Sequence, residues 1–194
     1  MVTSAPSSRR PWQYGAGVPR LLLLSQPSPA VLAGMQTVIR RYGLEARLGR
    51  AMFDAVNWHQ TWSGRYEDTA AMRDRLRRVG AGISVPAFTL SFNRVGGEAH
   101  WTLLGRGRPE GFKRLLGAVR AELQASDLDA PGHTPHVTIS YRAPEPLKTL
   151  PIPPVAWQVD EIRLVAGQGR PYRYEVLDRW RLLQPPASPQ LPLF

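Results

Sequence analysis

The tripeptides His59-Gln60-Thr61 and His136-Val137-Thr138 hold the residue types of this chain best suited to chemistry. Each lies in a stretch that reads as a β-strand, where residues i and i+2 share a face, so each presents an imidazole beside a hydroxyl. Two such strands brought together would offer both histidines and both hydroxyls to one small substrate. That set suits acid–base chemistry on a phosphate ester. One histidine takes a proton from the attacking oxygen, the other gives one to the leaving oxygen, and the hydroxyls hydrogen-bond the phosphoryl oxygens. An imidazole with an ordinary pKa of about 6.5 is available in both forms near neutrality, as such a pair requires. A third copy, His100-Trp101-Thr102, shows that the pattern also arises by chance, so context must distinguish the first two.

The elements that position these residues follow from periodicity. Ser28-Pro29 opens a helix with a cap and a proline at its first position; Val31, Leu32, Met35, Val38, Ile39 and Tyr42 form its apolar stripe and Gly43 ends it. Met72, Leu76 and Val79 mark a second helix starting near Glu67-Asp68, and Phe112, Leu115, Leu116, Val119 and Leu123 a third after Pro109. Strands are expected over Arg20–Leu24, over Val56–Ser63 with Trp58 and Trp62 facing away from His59, and over His136–Tyr141. A hairpin pairs Phe88-Leu90-Phe92 with Trp101-Leu103 through a Gly96-Gly97 turn, and a last strand spans Tyr172–Leu182. Parity changes near Asp160-Glu161, which suggests a bulge. The order suits an α+β chain with two antiparallel sheets, helices on the outer faces and a shared central cleft. Residues 1–18 read as a flexible arm, 19–184 as one two-lobed domain, and 185–194 as a Pro-rich tail.

With its paired motifs, the opening strand Arg20-Leu21-Leu22-Leu23-Leu24 and the second motif in the form Pro135-His136-Val137-Thr138-Ile139, the sequence resembles the 2H phosphoesterases. Within them it is similar to the bacterial 2′-5′ RNA ligase-like, or RNA 2′,3′-cyclic phosphodiesterase, branch. The resemblance covers roughly residues 20–182 and implies a bilobal pseudo-twofold fold with one motif on each lobe. It further implies that His59 and His136 are catalytic, that Thr61 and Thr138 bind phosphate, and that a terminal 2′,3′-cyclic phosphate is opened to a 2′-phosphate. The reverse reaction would form a 2′-5′ linkage. By the same pattern His136 activates the nucleophile and His59 protonates the leaving group. Arg65, Tyr141, Arg142 and Trp62 are candidate substrate contacts, Arg142 because strand parity would carry it to the His136 face. Gln60 and Trp62 depart from the aliphatic residues usual at their positions, which opens the substrate preference. A small cyclic nucleotide as substrate, or an RNA-binding module without turnover, are the alternatives.

Composition bounds the rest. The chain of 194 residues has no cysteine, and no His-x-x-x-His or His-Glu-x-x-His spacing occurs, so neither a metal nor another cofactor is expected. Net charge is +10, almost all of it from arginine, which favours a polyanionic partner such as RNA. Arg73, Arg75, Arg77 and Arg78 on the second helix read as a solvated face, Gly105-Arg106-Gly107-Arg108 as a basic turn, and His133 and His100 as non-catalytic. No apolar run approaches the roughly 20 residues that span a membrane. A cytoplasmic monomer is the expectation.

Overall fold

The computed structural model describes residues 19–184; the expected arm and tail lie outside the described residues. Two antiparallel sheets carry the fold. In the first, β1 (Arg20–Ser25) runs between β2 (Gln60–Thr61) and β8 (Glu161–Gln168), and β9 (Arg173–Arg181) pairs with β8. The short β3 (Tyr66–Glu67) also pairs with β1. The second sheet has the order β6-β5-β4-β7, from His136–Ser140, Trp101–Gly105, Phe88–Gly97 and Leu147–Val159.

Helices cover one face of each sheet. α1 (Pro29–Arg41) packs on β7, and α4 (Glu110–Ala125) on β4. α3 (Ala70–Gly82) lies over β8, β9 and β1, while the one-turn α2 (Leu44–Leu48) follows α1. α1 begins as its sequence dictates: the Ser28 hydroxyl accepts from the Val31 N–H and Pro29 leads the first turn. It stops where Gly43 takes φ 67°, a left-handed conformation costly for any residue with a Cβ. α3 starts three residues later than the acidic pair suggests, because Thr69, not Glu67-Asp68, supplies the cap by accepting from the Met72 N–H. One continuous apolar core joins the helices to both sheets, and it includes Leu21, Leu23, Leu76, Leu90, Phe112, Val137 and Leu164. Trp58 and Trp62 are buried in it, as the parity of the first motif predicts.

Three local expectations are corrected. Residues Ala55–Asn57 form a 3₁₀ turn, not strand: the Asp54 carboxylate caps the Val56 N–H, and only Gln60–Thr61 is paired with β1 as strand. The hairpin turn is at residues 98–100. Gly96 still pairs with Thr102 on β5, and Gly97, at φ 144°, ends the strand. The change of parity near Asp160 is not a bulge. There the chain leaves the second sheet (β7) and enters the first (β8), so its two halves obey different faces; the bulge lies further on, between Leu164 and Val165.

Candidate active site

Both motifs sit on edge strands. β2 closes one end of the first sheet and β6 closes one end of the second, and these two edges meet. An edge strand leaves alternate N–H and C=O groups unpaired. Here the gap is spanned by a side chain. Gln60, fully buried between the two motif residues of the first tripeptide, accepts from the His136 N–H at 2.8 Å and donates to the Thr134 carbonyl at 3.3 Å. Its second amide hydrogen goes to the Thr61 carbonyl at 2.9 Å. His133 adds another stitch, its Nε2–H donating to the Ser63 carbonyl at 3.2 Å. The Tyr66 hydroxyl donates to the Asp129 carbonyl at 2.7 Å.

The two motif histidines are held in the same way. His59 Nδ1 lies 2.7 Å from the Asn57 carbonyl, and His136 Nδ1 lies 2.8 Å from the Thr134 carbonyl. A carbonyl oxygen only accepts, so each Nδ1 carries the hydrogen and each Nε2 is the atom left to take or give a proton. Thr61 and Thr138 stand two residues on, and among the described residues neither hydroxyl has a hydrogen-bond partner.

Their surroundings differ. His59 is 6% exposed and meets the edge of Tyr174 at a ring separation of 5.1 Å. Burial pushes its pKa down to about 4, against the hydrogen bond to Asn57, and the charges of Arg65 and His136 push it the same way. His136 is only half-buried. Burial also pushes the neighbouring His133 down, helped by His136. An aromatic wall flanks His59: Tyr172 and Tyr174 meet edge-on at 5.4 Å, and Phe53 touches Tyr141 and Tyr172 at 5.1 and 6.5 Å. Burial drives the Tyr174 phenol far above its ordinary range, so it stays protonated at any working pH.

The remaining sequence candidates divide. Arg65 acts electrostatically on both His59 and Tyr174, which places it at the site. Tyr141 belongs to the aromatic wall and also packs on His100, which stands in the hairpin turn. Trp62 is not at the site. It is fully buried against Phe112 and Phe88, with its indole N–H donated to Ser25 Oγ at 2.9 Å, so it has no surface to offer a substrate. Strand parity does not carry Arg142 to the His136 face, because β6 ends at Ser140. Arg142 lies past the strand and is exposed. Arg73 and Arg77 are engaged by Asp68 and by Asp74 and Asp178, and Arg75 by the Ser126 carbonyl.

Two residues escaped the sequence reading. Gln60 was visible as a polar residue at an apolar position, but its partners were not. Arg94 shares a transverse row with Leu104 and His136, and partners across antiparallel strands face the same side, so Arg94 lies on the His136 face. Even-numbered parity from Phe88, Leu90 and Phe92 would bury it. A bulge at Asn93 reverses the parity, and the arginine at a core position was the signal. No group of side chains able to hold a metal occurs among the described residues. A cavity of about 730 Å³ opens between the start of α1 and the β7–β8 junction, where Arg163, Arg179 and Glu161 line it; neither motif histidine does, so it is separate from this site.

A family profile for the 2′-5′ RNA ligase superfamily matches residues 61–171, which include Thr61 and the whole second motif. Among solved structures, Escherichia coli LigT complexed with NADP+ is 25% identical and superposes with a TM-score of 0.71 over 87% of this chain and 100% of LigT. LigT complexed with ATP is 26% identical, with a TM-score of 0.71 over 86% of this chain and 99% of that one. The Thermus thermophilus protein TT0787, 19% identical, shares the fold at a TM-score of 0.65 over 84% of this chain and 97% of that one. No curated protein matches. The profile spans more than half of the residues, and the fold that brings His59 to His136 is the fold of LigT over nearly its whole length; the chain belongs to the 2′-5′ RNA ligase superfamily.

Proposed function

We propose that this protein is a metal-independent cyclic phosphodiesterase that opens a 2′,3′-cyclic phosphate at an RNA 3′ end and leaves a 2′-phosphate. The reading rests on one observation above the others. Two imidazoles, one just before β2 and one at the start of β6, are each fixed as the Nδ1–H form by a carbonyl, so each leaves Nε2 for proton transfer in a motif whose threonine stands two residues on. One Nε2 takes a proton from water as the water oxygen bonds to phosphorus. The P–O3′ bond breaks, and the other histidine delivers a proton to O3′. Thr61 and Thr138 donate to the phosphoryl oxygens, with Arg65 near enough to His59 to add positive charge. With an RNA 5′-hydroxyl in place of water as the nucleophile, the P–O5′ bond forms as P–O3′ breaks, and the same groups form a 2′-5′ linkage.

The environments favour roles for the two histidines. His59 is held neutral in the free protein, the form that accepts a proton. This favours His59 as base and the more exposed His136 as acid, the reverse of the order that the resemblance implies. A small nucleotide is the second reading, supported by the structures of LigT with ATP, NADP+ and 3′-AMP.

Turnover of cyclic-phosphate-ended RNA and of a cyclic mononucleotide, with and without EDTA, tests the proposal. Wild-type protein should open the cyclic phosphate in chelator. His59→Ala and His136→Ala should each lose roughly 10²–10⁴-fold in kcat, the usual worth of a positioned acid or base. His100→Ala, in the hairpin turn, should remain active. Full activity in both motif variants, or activity lost in EDTA and restored by a divalent ion, would refute it.

A further inference from the structure

Gln60 occupies the middle of the first motif, and its side chain acts on the second. Its amide accepts from the His136 N–H at 2.8 Å and donates to the Thr134 carbonyl at 3.3 Å. These are the two groups that a neighbouring strand would engage. β6 pairs on one side with β5, and the N–H of residue 136 and the C=O of residue 134 point to its open side. The glutamine amide stands in for the missing strand. Its orientation is fixed, because turning it over would set its oxygen against the carbonyls of Thr134 and Thr61 and its NH₂ against an N–H.

The Thr134 carbonyl also accepts the Nδ1–H of His136, at 2.8 Å. Gln60 therefore holds the backbone that holds the catalytic imidazole, and it does so from between His59 and Thr61. We propose that Gln60 is a positioning residue that sets the tautomer and aim of His136 and locks the two motifs into one catalytic unit. This rests on the reading of His59 and His136 as the acid–base pair, but the main measurement does not depend on turnover. A residue that merely joined two lobes would contribute stability and leave the imidazole alone. Gln60 is fully buried with its amide hydrogens and oxygen all engaged, so its loss frees the 134–136 backbone at the point where the ring is aimed.

The test is Gln60→Leu beside Gln60→Glu, each first checked for a cooperative thermal transition. Long-range ¹H–¹⁵N spectra of the histidine rings should show wild-type His136 and His59 both as the Nδ1–H tautomer. In Gln60→Leu, His136 should become a mixture of tautomers while His59 keeps its state. The kcat for cyclic phosphate opening should fall about 10- to 100-fold, the scale set by misplacing a catalytic group by an ångström, with KM changed far less. Gln60→Glu keeps an acceptor for the His136 N–H but faces two carbonyls with oxygen. It regains a donor only when protonated, so its kcat relative to wild type should rise as pH falls. Should Gln60→Leu fail to fold, the Gln60→Glu ratio and spectra decide. Folded variants with wild-type kcat and an unchanged His136 tautomer would overturn the proposal. A wild-type protein inert on every cyclic phosphate, with His136 still shifting its tautomer in Gln60→Leu, would overturn the assigned reaction and leave the positioning role standing.

Discussion

Acidification should weaken this fold through His59, and the size of the effect follows from its burial. The folded protein holds the imidazole near pKa 4, whereas the unfolded chain releases it to an ordinary value of about 6.5. Well above pH 6.5 both states are neutral and His59 adds no pH dependence. Between the two values the unfolded state binds a proton that the folded state refuses, so stability is lost as pH falls towards 4. At about 1.4 kcal/mol per pH unit the full loss is about 3 kcal/mol, and at pH 5 it is already about 2 kcal/mol. Against a domain stability of order 5–15 kcal/mol that is large. His59→Asn removes the titration, and its amide can still donate to the Asn57 carbonyl. Urea unfolding of both proteins from pH 7.5 to 5 gives the comparison. The variant carries a fixed cost for the lost ring contact with Tyr174, but the gap between the two curves should close by about 2 kcal/mol over that range, roughly 1 M in midpoint. His133, which burial also lowers, and Asp68, held low by Arg73, are present in both proteins and cancel. A gap that stays constant with pH would mean that water or a nearby anion already accommodates the charged ring, and that burial does not keep His59 neutral.

Arg65→Gln removes a positive charge that lowers the His59 pKa, so the ascending limb of kcat/KM against pH should move upward; a limb that responds only to changes at His136 would reverse the acid and base roles. Gly80→Ala should destabilise the protein by about 1–3 kcal/mol in thermal unfolding, because the new methyl group would meet the Trp180 ring across the α3–β9 contact, with turnover at permissive temperature unchanged. Oligonucleotide binding should depend on salt more steeply than binding of a cyclic mononucleotide, each phosphate neutralised adding a slope of about −0.7. Arg73→Gln with Arg77→Gln should leave that slope unaltered, since ion pairs already occupy both side chains. A slope reduced in the double variant would mean that α3 contacts the oligonucleotide despite these ion pairs.

Where burial followed a single period, the sequence was legible. The stripe from Val31 to Tyr42 and the stripe from Phe112 to Leu123 became α1 and α4, with the cap and the glycine stop of α1 where they were expected. The second motif strand also held, because β6 is five residues long and pairs with β5 from His136 to Ser140 with a single irregularity at Ile139. The first motif was harder. Its local pattern alternates over eight residues, yet the Asp54 cap and the short end of β1 leave strand pairing for two. β7 hid behind Pro151, Pro153 and Pro154, which it tolerates because it is an edge strand and because residues 152–154 fall at the register break opposite Asn93, outside the regular pairs. Gln60 and Arg94 could not be placed because each depends on a non-local event, the meeting of two sheet edges for one and a bulge for the other.

Duplicated motifs pose a chemical problem, since two identical histidine sites would compete for the same proton and play the same part. Acid–base catalysis needs the two to differ. The fold gives both rings the same tautomer through the same carbonyl device and then separates them by burial. His59 is enclosed by Tyr174 beneath the 3₁₀ turn and kept neutral. His136 sits at the start of an edge strand, half open to water, with its backbone steadied from the opposite sheet by Gln60. That 3₁₀ turn, the feature least expected from the strand-like sequence, supplies the Asn57 carbonyl to His59. It is tied to the approach to β9 by the Asn57 side chain, which donates to the Tyr172 carbonyl, and by the Asp54–Arg173 ion pair. The departure from pseudo-twofold symmetry thus lies on the side of His59, the histidine that the proposed reading makes the base.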